Sequence, residues 1–134
     1  MAAVPALLES RLVLARSLSA SCPSLVVVGS MARWLLDVDA DPPRDVDVAV
    51  PGEPEALSAL SAALGRLGAW GTRRSARPTV RPDLSPQRFR TPLGPLDVFV
   101  MDPAGWSDVE RRTTIVGTGA GRVRVLAASL AAGV

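Results

Sequence analysis

Apolar and polar residues alternate along the chain at two spacings, one typical of helices and one typical of strands. Residues 6–20 carry an apolar stripe at helical spacing, which predicts an amphipathic helix that ends before Pro23. The run LVVV at residues 25–28 is β-branched and lies between Pro23 and Gly29, so it predicts a buried strand. A short helix over residues 30–36 is expected next. The members of the first stripe are Leu7, Leu8, Leu12, Ala15 and Leu18.

The next two predicted elements continue this order. The segment DVDVAV at residues 45–50 has the period of two that is typical of a strand. Helix signals follow, because Pro54 lies between two glutamates and Gly68 is a natural C-terminal stop. The leucines between them recur at helical spacing: Leu57, Leu60, Leu64 and Leu67. The first half of the chain therefore predicts the order helix, strand, helix, strand, helix.

The second half predicts two hairpins separated by a short helix. Residues 71–86 contain four arginines and three prolines and predict a loop, which we expect to be poorly ordered from Arg73 to Arg81 without a ligand. Residues 87–91 and 96–101 flank the turn sequence PLG and predict a hairpin. Residues 105–112 predict a short helix, and residues 113–126 predict a second hairpin with a glycine-rich turn. The last eight residues are enough for barely two helical turns.

Composition limits the classes of function. The chain has 134 residues, of which 48% are hydrophobic, so we expect one domain over residues 1–134 with a real core. All fifteen basic residues are arginines, yet the formal net charge is only +2, which does not indicate a dedicated nucleic-acid-binding protein. The absence of histidine excludes Ser-His and Cys-His nucleophile pairs and histidine-based zinc sites.

The sequence also bears on the cellular compartment. A single cysteine, Cys22, cannot form an internal disulfide, so nothing indicates an oxidising compartment. Charged residues, namely Glu9, Arg11 and Arg16, interrupt the apolar start of the chain, which argues against a signal peptide. No stretch is apolar enough to span a bilayer. We therefore expect a soluble, cytoplasmic protein with no membrane partner.

Three aspartates stand in otherwise apolar strands. Successive side chains of a strand point to opposite faces, so Asp45 and Asp47 share one face, and their repulsion calls for a compensating arginine or divalent cation. Asp97 alternates with apolar residues in the same way on a later strand, so the three carboxylates are expected to converge on one cleft. Oxygen-only ligands suit Mg²⁺ or Mn²⁺. The alternative is that these aspartates are only the solvent-facing positions of amphipathic strands.

The dipeptide Gly29-Ser30 follows a predicted buried strand and opens a predicted helix. At such a junction, backbone amides and a hydroxyl can hold a phosphate group. A phosphate site and a carboxylate metal site together indicate nucleotide chemistry.

With these motifs the chain resembles the nucleotidyltransferase superfamily with the DNA polymerase beta-like fold. The matching pieces are Gly29-Ser30, then Asp45-Val46-Asp47-Val48, then Asp97 on a later strand. The resemblance covers roughly residues 20–130 and is to small bacterial members related to abortive-infection and toxin–antitoxin nucleotidyltransferases. It implies an α/β (α+β) fold, in which a mixed sheet of four to six strands carries helices mainly on one face.

The resemblance also implies an activity: a nucleoside monophosphate would move from an NTP, such as ATP, to an acceptor hydroxyl, with release of pyrophosphate. Asp45, Asp47 and Asp97 would be the catalytic residues and the ligands of Mg²⁺ or Mn²⁺. Gly29 and Ser30 would bind the nucleotide, together with Arg33 one helical turn beyond. The acceptor stays open between a tRNA, a protein and a small molecule. Arg33 is alternatively a solvated helix residue or a partner of Asp37.

Two further interpretations stay open beside the enzyme. The chain is alternatively an inactive nucleotidyltransferase-like binding module, or an antitoxin-type partner protein, which keeps the fold without the reaction. The longer C-terminal helical region usual in relatives is not present before Val134, which favours this alternative. Association through an apolar surface, as a homodimer or with a partner protein, is compatible with either interpretation.

Overall fold

Helices and strands follow one another in the predicted order. The computed structural model describes residues 3–37, 39–71, 77–119 and 121–127. Within these residues the helices are α1 (Ala3–Ser21), α2 (Gly29–Leu36), α3 (Pro54–Arg66) and α4 (Pro103–Arg111). The strands are β1 (Val26–Val28), β2 (Val46–Pro51), β3 (Gln87–Thr91), β4 (Gly94–Met101), β5 (Thr113–Gly117) and β6 (Arg122–Leu126). Every helix and strand predicted within the described residues is therefore confirmed, with small shifts of the ends.

The strands form one mixed, six-stranded sheet in the order β3-β4-β2-β1-β6-β5. Two hairpins, β3–β4 and β5–β6, lie at its edges and are antiparallel. In the centre β2 runs parallel to β4 and antiparallel to β1, and β1 runs parallel to β6. The predicted α/β class with a mixed sheet of four to six strands is thereby confirmed.

Three helices cover one face of the sheet and one helix covers part of the other. The main core packs α1, α2 and α3 against inward-facing valines such as Val48, Val98 and Val125. On the opposite face Trp106 and Val109 of α4 pack over Val26 and Ala49. The helices thus lie mainly on one face, as predicted, and the face with α4 alone is only partly covered.

The buried stripe of α1 differs from the predicted one. Leu14, Ala15 and Leu18 are fully buried, whereas Leu7, a predicted member of the stripe, is 53% exposed. From Leu7 onward, where the side chains of α1 are described, the buried ones lie in the second half of the helix, which packs on the sheet and α3. One turn before Leu14 the same stripe carries Arg11, whose guanidinium reaches backbone carbonyls of two distant loops.

The arginine- and proline-rich segment is a loop where it is described. Residues 77–86 contain no helix or strand, as predicted. The loop is nevertheless attached to the core, since Val80 is buried and its N–H donates to the hydroxyl of Ser61. Arg73 and Arg74 lie outside the described residues, and so do the residues 128–134 of the predicted final helical turns. No helix in the described residues has the length and apolarity needed to cross a membrane.

The junction between β1 and α2 is at Gly29, as predicted. Gly29 has φ = 65°, in the left-handed region that residues with a side chain adopt only at a cost. A Cβ atom at this position would collide with the carboxylate of Asp47, because Val28 pairs with Asp47 across the sheet. Glycine is therefore required here both by backbone conformation and by the close approach of an acidic side chain.

The positive φ of Gly29 and its close approach to Asp47 can be tested with a matched pair of variants. We expect Gly29→Ala to lower the free energy of unfolding by about 2 kcal/mol or more, since strain and collision act together. Gly65 lies within α3 and is exposed, and no atom of a neighbouring described residue lies within 4 Å of the place of an added Cβ. Gly65→Ala is therefore expected to raise the stability by about 0.5–1 kcal/mol. Urea unfolding followed by circular dichroism measures both, and equal stabilities would contradict the assigned geometry of the junction.

Candidate active site

Two of the predicted aspartates lie side by side in the sheet. The strands β2 and β4 run parallel, and their register pairs Asp47 directly with Asp97. Parallel partners in register project to the same face of the sheet. Asp45 immediately precedes β2 and contacts the same arginine as Asp97, so all three carboxylates gather at one place. The prediction that Asp97 shares a face with Asp45 and Asp47 is confirmed.

The carboxylates lie at the end of the α4-bearing face that no helix of the described residues covers. Along that face Asp47 is followed by Ala49 on β2, and Asp97 by Phe99 on β4. Ala49 and Phe99 belong to the apolar cluster beneath Trp106 of α4. Within two residues along β2 and β4 this face thus changes from acidic and open to apolar and covered. The reason is that α4 covers only the part of the face that follows the aspartates.

An open cavity of about 390 Å³ lies over the carboxylates. Five of the six predicted site residues line it, and Gly29 lies behind Asp47, which it contacts closely. Arg33 is exposed at this cavity, and none of the ion pairs among the described residues joins it to Asp37. The residues that line the cavity are Ser30, Arg33, Asp41, Pro42, Pro43, Arg44, Asp45, Asp47 and Asp97.

The amino end of α2 is directed to this site by the pairing of β1 with β2. Val28 lies opposite Asp47, so the chain enters α2 beside the carboxylates. The N-cap residue of α2 is Val28, whose side chain forms no capping hydrogen bond. The first amides of a helix have no partner within the helix, and with the adjacent Ser30 hydroxyl they form a place that favours an anion.

Arg88 of β3 is the basic residue that compensates the carboxylates, and the sequence reasoning missed it. Its Nη1 lies 3.2 Å from Oδ2 of Asp97, and its Nη2 lies 3.3 Å from Oδ2 of Asp45. The antiparallel β3–β4 register places Arg88 directly opposite Asp97. The sequence did contain a signal for this contact. When the two strands of the predicted hairpin are paired around its tight turn, Arg88 lies opposite Asp97.

Arg11 is a second missed residue, and it fixes the loop that leads into the site. Its Nε donates to the carbonyl of Arg44 at 2.6 Å, and its Nη1 donates to the carbonyl of Leu93 at 2.7 Å. Arg44 immediately precedes Asp45, and Leu93 lies in the turn between β3 and β4. One side chain of α1 thereby ties together the two segments that carry Asp45, Arg88 and the start of β4. These contacts span many residues of sequence, and no local pattern predicted them.

The electrostatics of the site act strongly on Asp47. Its pKa is raised from 3.8 to about 6, first by burial and then by the neighbouring charges of Asp97 and Asp45. A hydrogen bond with Asp97 acts in the same direction, whereas Arg88 lowers the pKa of Asp47. The guanidinium of Arg88 contacts the other two carboxylates, so the repulsion at Asp47 is only partly compensated. The carboxylate pair Asp47–Asp97 thus favours binding of a proton or a cation.

The donor atoms suit a hard divalent cation, because all three side chains offer carboxylate oxygens. In the present arrangement the Arg88 guanidinium lies between Asp45 and Asp97. Within the described residues no three acidic, cysteine or histidine side chains already form a group that could hold a metal ion. The chemistry of the donors therefore fits Mg²⁺ or Mn²⁺, while their present geometry is that of an arginine-bridged cluster.

Comparisons with known proteins give no family for this chain. No protein-family model matches it, and no curated protein matches it. A functional assignment therefore depends on the residues of the site and their geometry.

The raised pKa of Asp47 predicts how stability depends on pH. A carboxyl group whose pKa is higher in the folded state binds more protons when folded, so stability falls as pH rises from about 4 to about 6. Asp47→Asn removes this ionisation and is expected to raise the free energy of unfolding at pH 7.5 by on the order of 1 kcal/mol, a value reduced for solvent screening. At pH 3.5 the variant and the wild type should be nearly equal. Urea unfolding at several pH values measures the difference.

A matched control for this test is Asp41→Asn. Asp41 lines the same cavity but is exposed, so its change is expected to alter stability by less than about 0.5 kcal/mol at either pH. A pH-independent difference between Asp47→Asn and the wild type would contradict the proposed ionisation of Asp47.

Proposed function

We propose that this protein is a metal-dependent nucleotidyltransferase of the DNA polymerase beta-like superfamily. It transfers a nucleoside monophosphate from an NTP to an acceptor hydroxyl and releases pyrophosphate. The observation that carries the proposal is the register of β2 and β4, which sets Asp47 beside Asp97 next to the Gly29-Ser30 junction, above one open cavity. This is the arrangement that the resemblance in the sequence implies.

The amino end of α2 provides the phosphate-binding side of the site. The backbone N–H groups of its first turn and the Ser30 hydroxyl donate to the triphosphate, and the absence of a Cβ at Gly29 lets the chain pass close to Asp47. Arg33 follows one turn later at the same cavity and adds a positive charge for the triphosphate. The cavity volume of about 390 Å³ is within the range of roughly 300–1,000 Å³ that is usual for small-ligand sites.

The carboxylates provide the reactive side. Asp45, Asp47 and Asp97 would hold the divalent cations, which would lower the pKa of the acceptor hydroxyl and neutralise the triphosphate. Asp97 accepts the proton of the acceptor hydroxyl as that oxygen bonds to the α-phosphorus. The bond from the α-phosphorus to the bridging oxygen breaks in the same displacement, and pyrophosphate leaves. Ser30 and Arg33 keep the leaving phosphates in place opposite the acceptor.

One observation favours the alternative of an inactive binding module or antitoxin-type partner. Arg88 already neutralises part of the acidic cluster, by ion pairs to both Asp45 and Asp97. A cluster compensated in this way is stable without any cation, as a module that only keeps the fold requires. The enzyme and the module differ in whether nucleotide binding needs a divalent cation and the carboxylates.

The proposal is tested by nucleotide binding and transfer with a matched pair of variants. We expect the wild type to bind at least one NTP in the presence of Mn²⁺ or Mg²⁺, and Asp97→Asn to weaken that binding about tenfold or more. Asp83→Asn, at an exposed carboxylate outside this cavity, should bind as the wild type does. Calorimetry measures binding, and incubation with each α-labelled NTP and a cell extract shows which acceptor is labelled: a tRNA, a protein or a small molecule.

The controls separate the two functions. Thermal melting followed by circular dichroism shows that each variant is folded. Binding of an NTP that is independent of divalent cations and unchanged in Asp97→Asn, with no labelled product, would contradict the transferase and support the binding module.

A further inference from the structure

We propose that Arg88 is a built-in counter-ion that competes with divalent cations for Asp45 and Asp97. The site then has an arginine-bridged form, seen here, and a cation-loaded form in which the guanidinium has moved away. Arg88 thereby sets the concentration of cation at which the site loads. The inference rests on the proposed function, since it concerns the same carboxylates.

The contacts of Arg88 are those of a bridge between two acids. One terminal nitrogen, Nη1, lies 3.2 Å from Oδ2 and 3.5 Å from Oδ1 of Asp97. The other, Nη2, lies 3.3 Å from Oδ2 of Asp45. The side chain therefore does not form the compact, two-bond pair with a single carboxylate that makes an arginine ion pair strong. It occupies the space between two carboxylates that a shared cation would also use.

The bridge is weak enough to open. The side chain of Arg88 is 52% exposed, and those of Asp45 and Asp97 are 35% and 21% exposed. Ion pairs exposed to this degree contribute little, because water and salt screen them. Arg88 also lies on β3, the edge strand, so its side chain can turn to solvent without disturbing the sheet hydrogen bonds.

Cation binding and the arginine bridge exclude one another for two physical reasons. A divalent ion and a guanidinium both require the oxygens of Asp45 and Asp97, which cannot serve both at short distance. The two positive charges also repel each other across a few ångströms. The bridge has its own use, because it offsets the repulsion of neighbouring carboxylates when no cation is bound.

Arg90 provides a matched control on the same strand. It is exposed, like Arg88, and two residues farther along β3, so it projects to the same face and pairs opposite Pro95. Among the described residues its side chain forms no ion pair with a carboxylate. Loss of Arg90 removes the same charge from the neighbourhood without removing the bridge.

The test is the affinity for Mn²⁺ alone, without nucleotide, measured by electron paramagnetic resonance of free Mn²⁺ at constant pH and ionic strength. We expect Arg88→Gln to bind Mn²⁺ about fivefold more tightly than the wild type, because the variant loses a competitor that forms two exposed ion pairs. Arg90→Gln should stay within about twofold of the wild type, since long-range charge effects are screened. Arg88→Lys, which keeps the charge but cannot bridge both acids with a planar group, should lie between Arg88→Gln and the wild type.

The outcomes separate this inference from the proposed function. Equal Mn²⁺ affinity of the wild type and Arg88→Gln, or weaker binding by Arg88→Gln, would overturn the competition while leaving a metal site in place. Equal gains in Arg88→Gln and Arg90→Gln would also overturn it, because the effect would then be one of general charge. Failure of the wild type and Arg88→Gln alike to bind Mn²⁺ at millimolar concentration would overturn both proposals. Thermal melting confirms that each variant is folded.

Discussion

The parallel pairing of β2 with β4 is the constraint on which the site depends. It places Asp47 directly beside Asp97 and partly out of water, where two like charges repel. Packing on the other face of the sheet holds the strands in this register, because Val46, Val48 and Val98 are fully buried there in the main core. A shift by one residue would place the aspartates in that core and the valines in solvent. Burial of the valines therefore enforces the proximity of the acids.

The rest of the structure accommodates this unfavourable contact. The guanidinium of Arg88, on the edge strand, forms an ion pair with Asp97. Gly29 has no Cβ, which leaves room for the carboxylate of Asp47. Arg11 of α1, 33 residues earlier in the chain, donates a hydrogen bond to the carbonyl of Arg44 and so fixes the backbone just before Asp45. Several distant segments thus converge on the three carboxylates and accommodate their mutual repulsion.

The acids are accessible because the helices are distributed unequally between the two faces of the sheet. Three helices cover the face that holds the main core, whereas α4 alone covers part of the other face. Ala49 and Phe99 fill the covered part, and the aspartates two residues before them meet an open cavity. The same alternation along β2 and β4 therefore fills an apolar cluster at one end and faces an open cavity at the other.

The sequence by itself determined the elements and the three candidate acids. The period of two in DVDVAV, the helical leucine spacing of α3 and the turn chemistry at Gly29 are local patterns, and local patterns are readable from the chain. It did not determine which half of α1 is buried, because that depends on where the helix meets the sheet. It also did not reveal Arg88 and Arg11 as parts of the site. Arg88 could have been found, because the register of the predicted hairpin pairs it with Asp97. Only the tertiary structure joins Arg88 to Asp45 and Arg11 to Arg44, since contacts across 43 and 33 residues follow from strand order and packing, which no local pattern encodes.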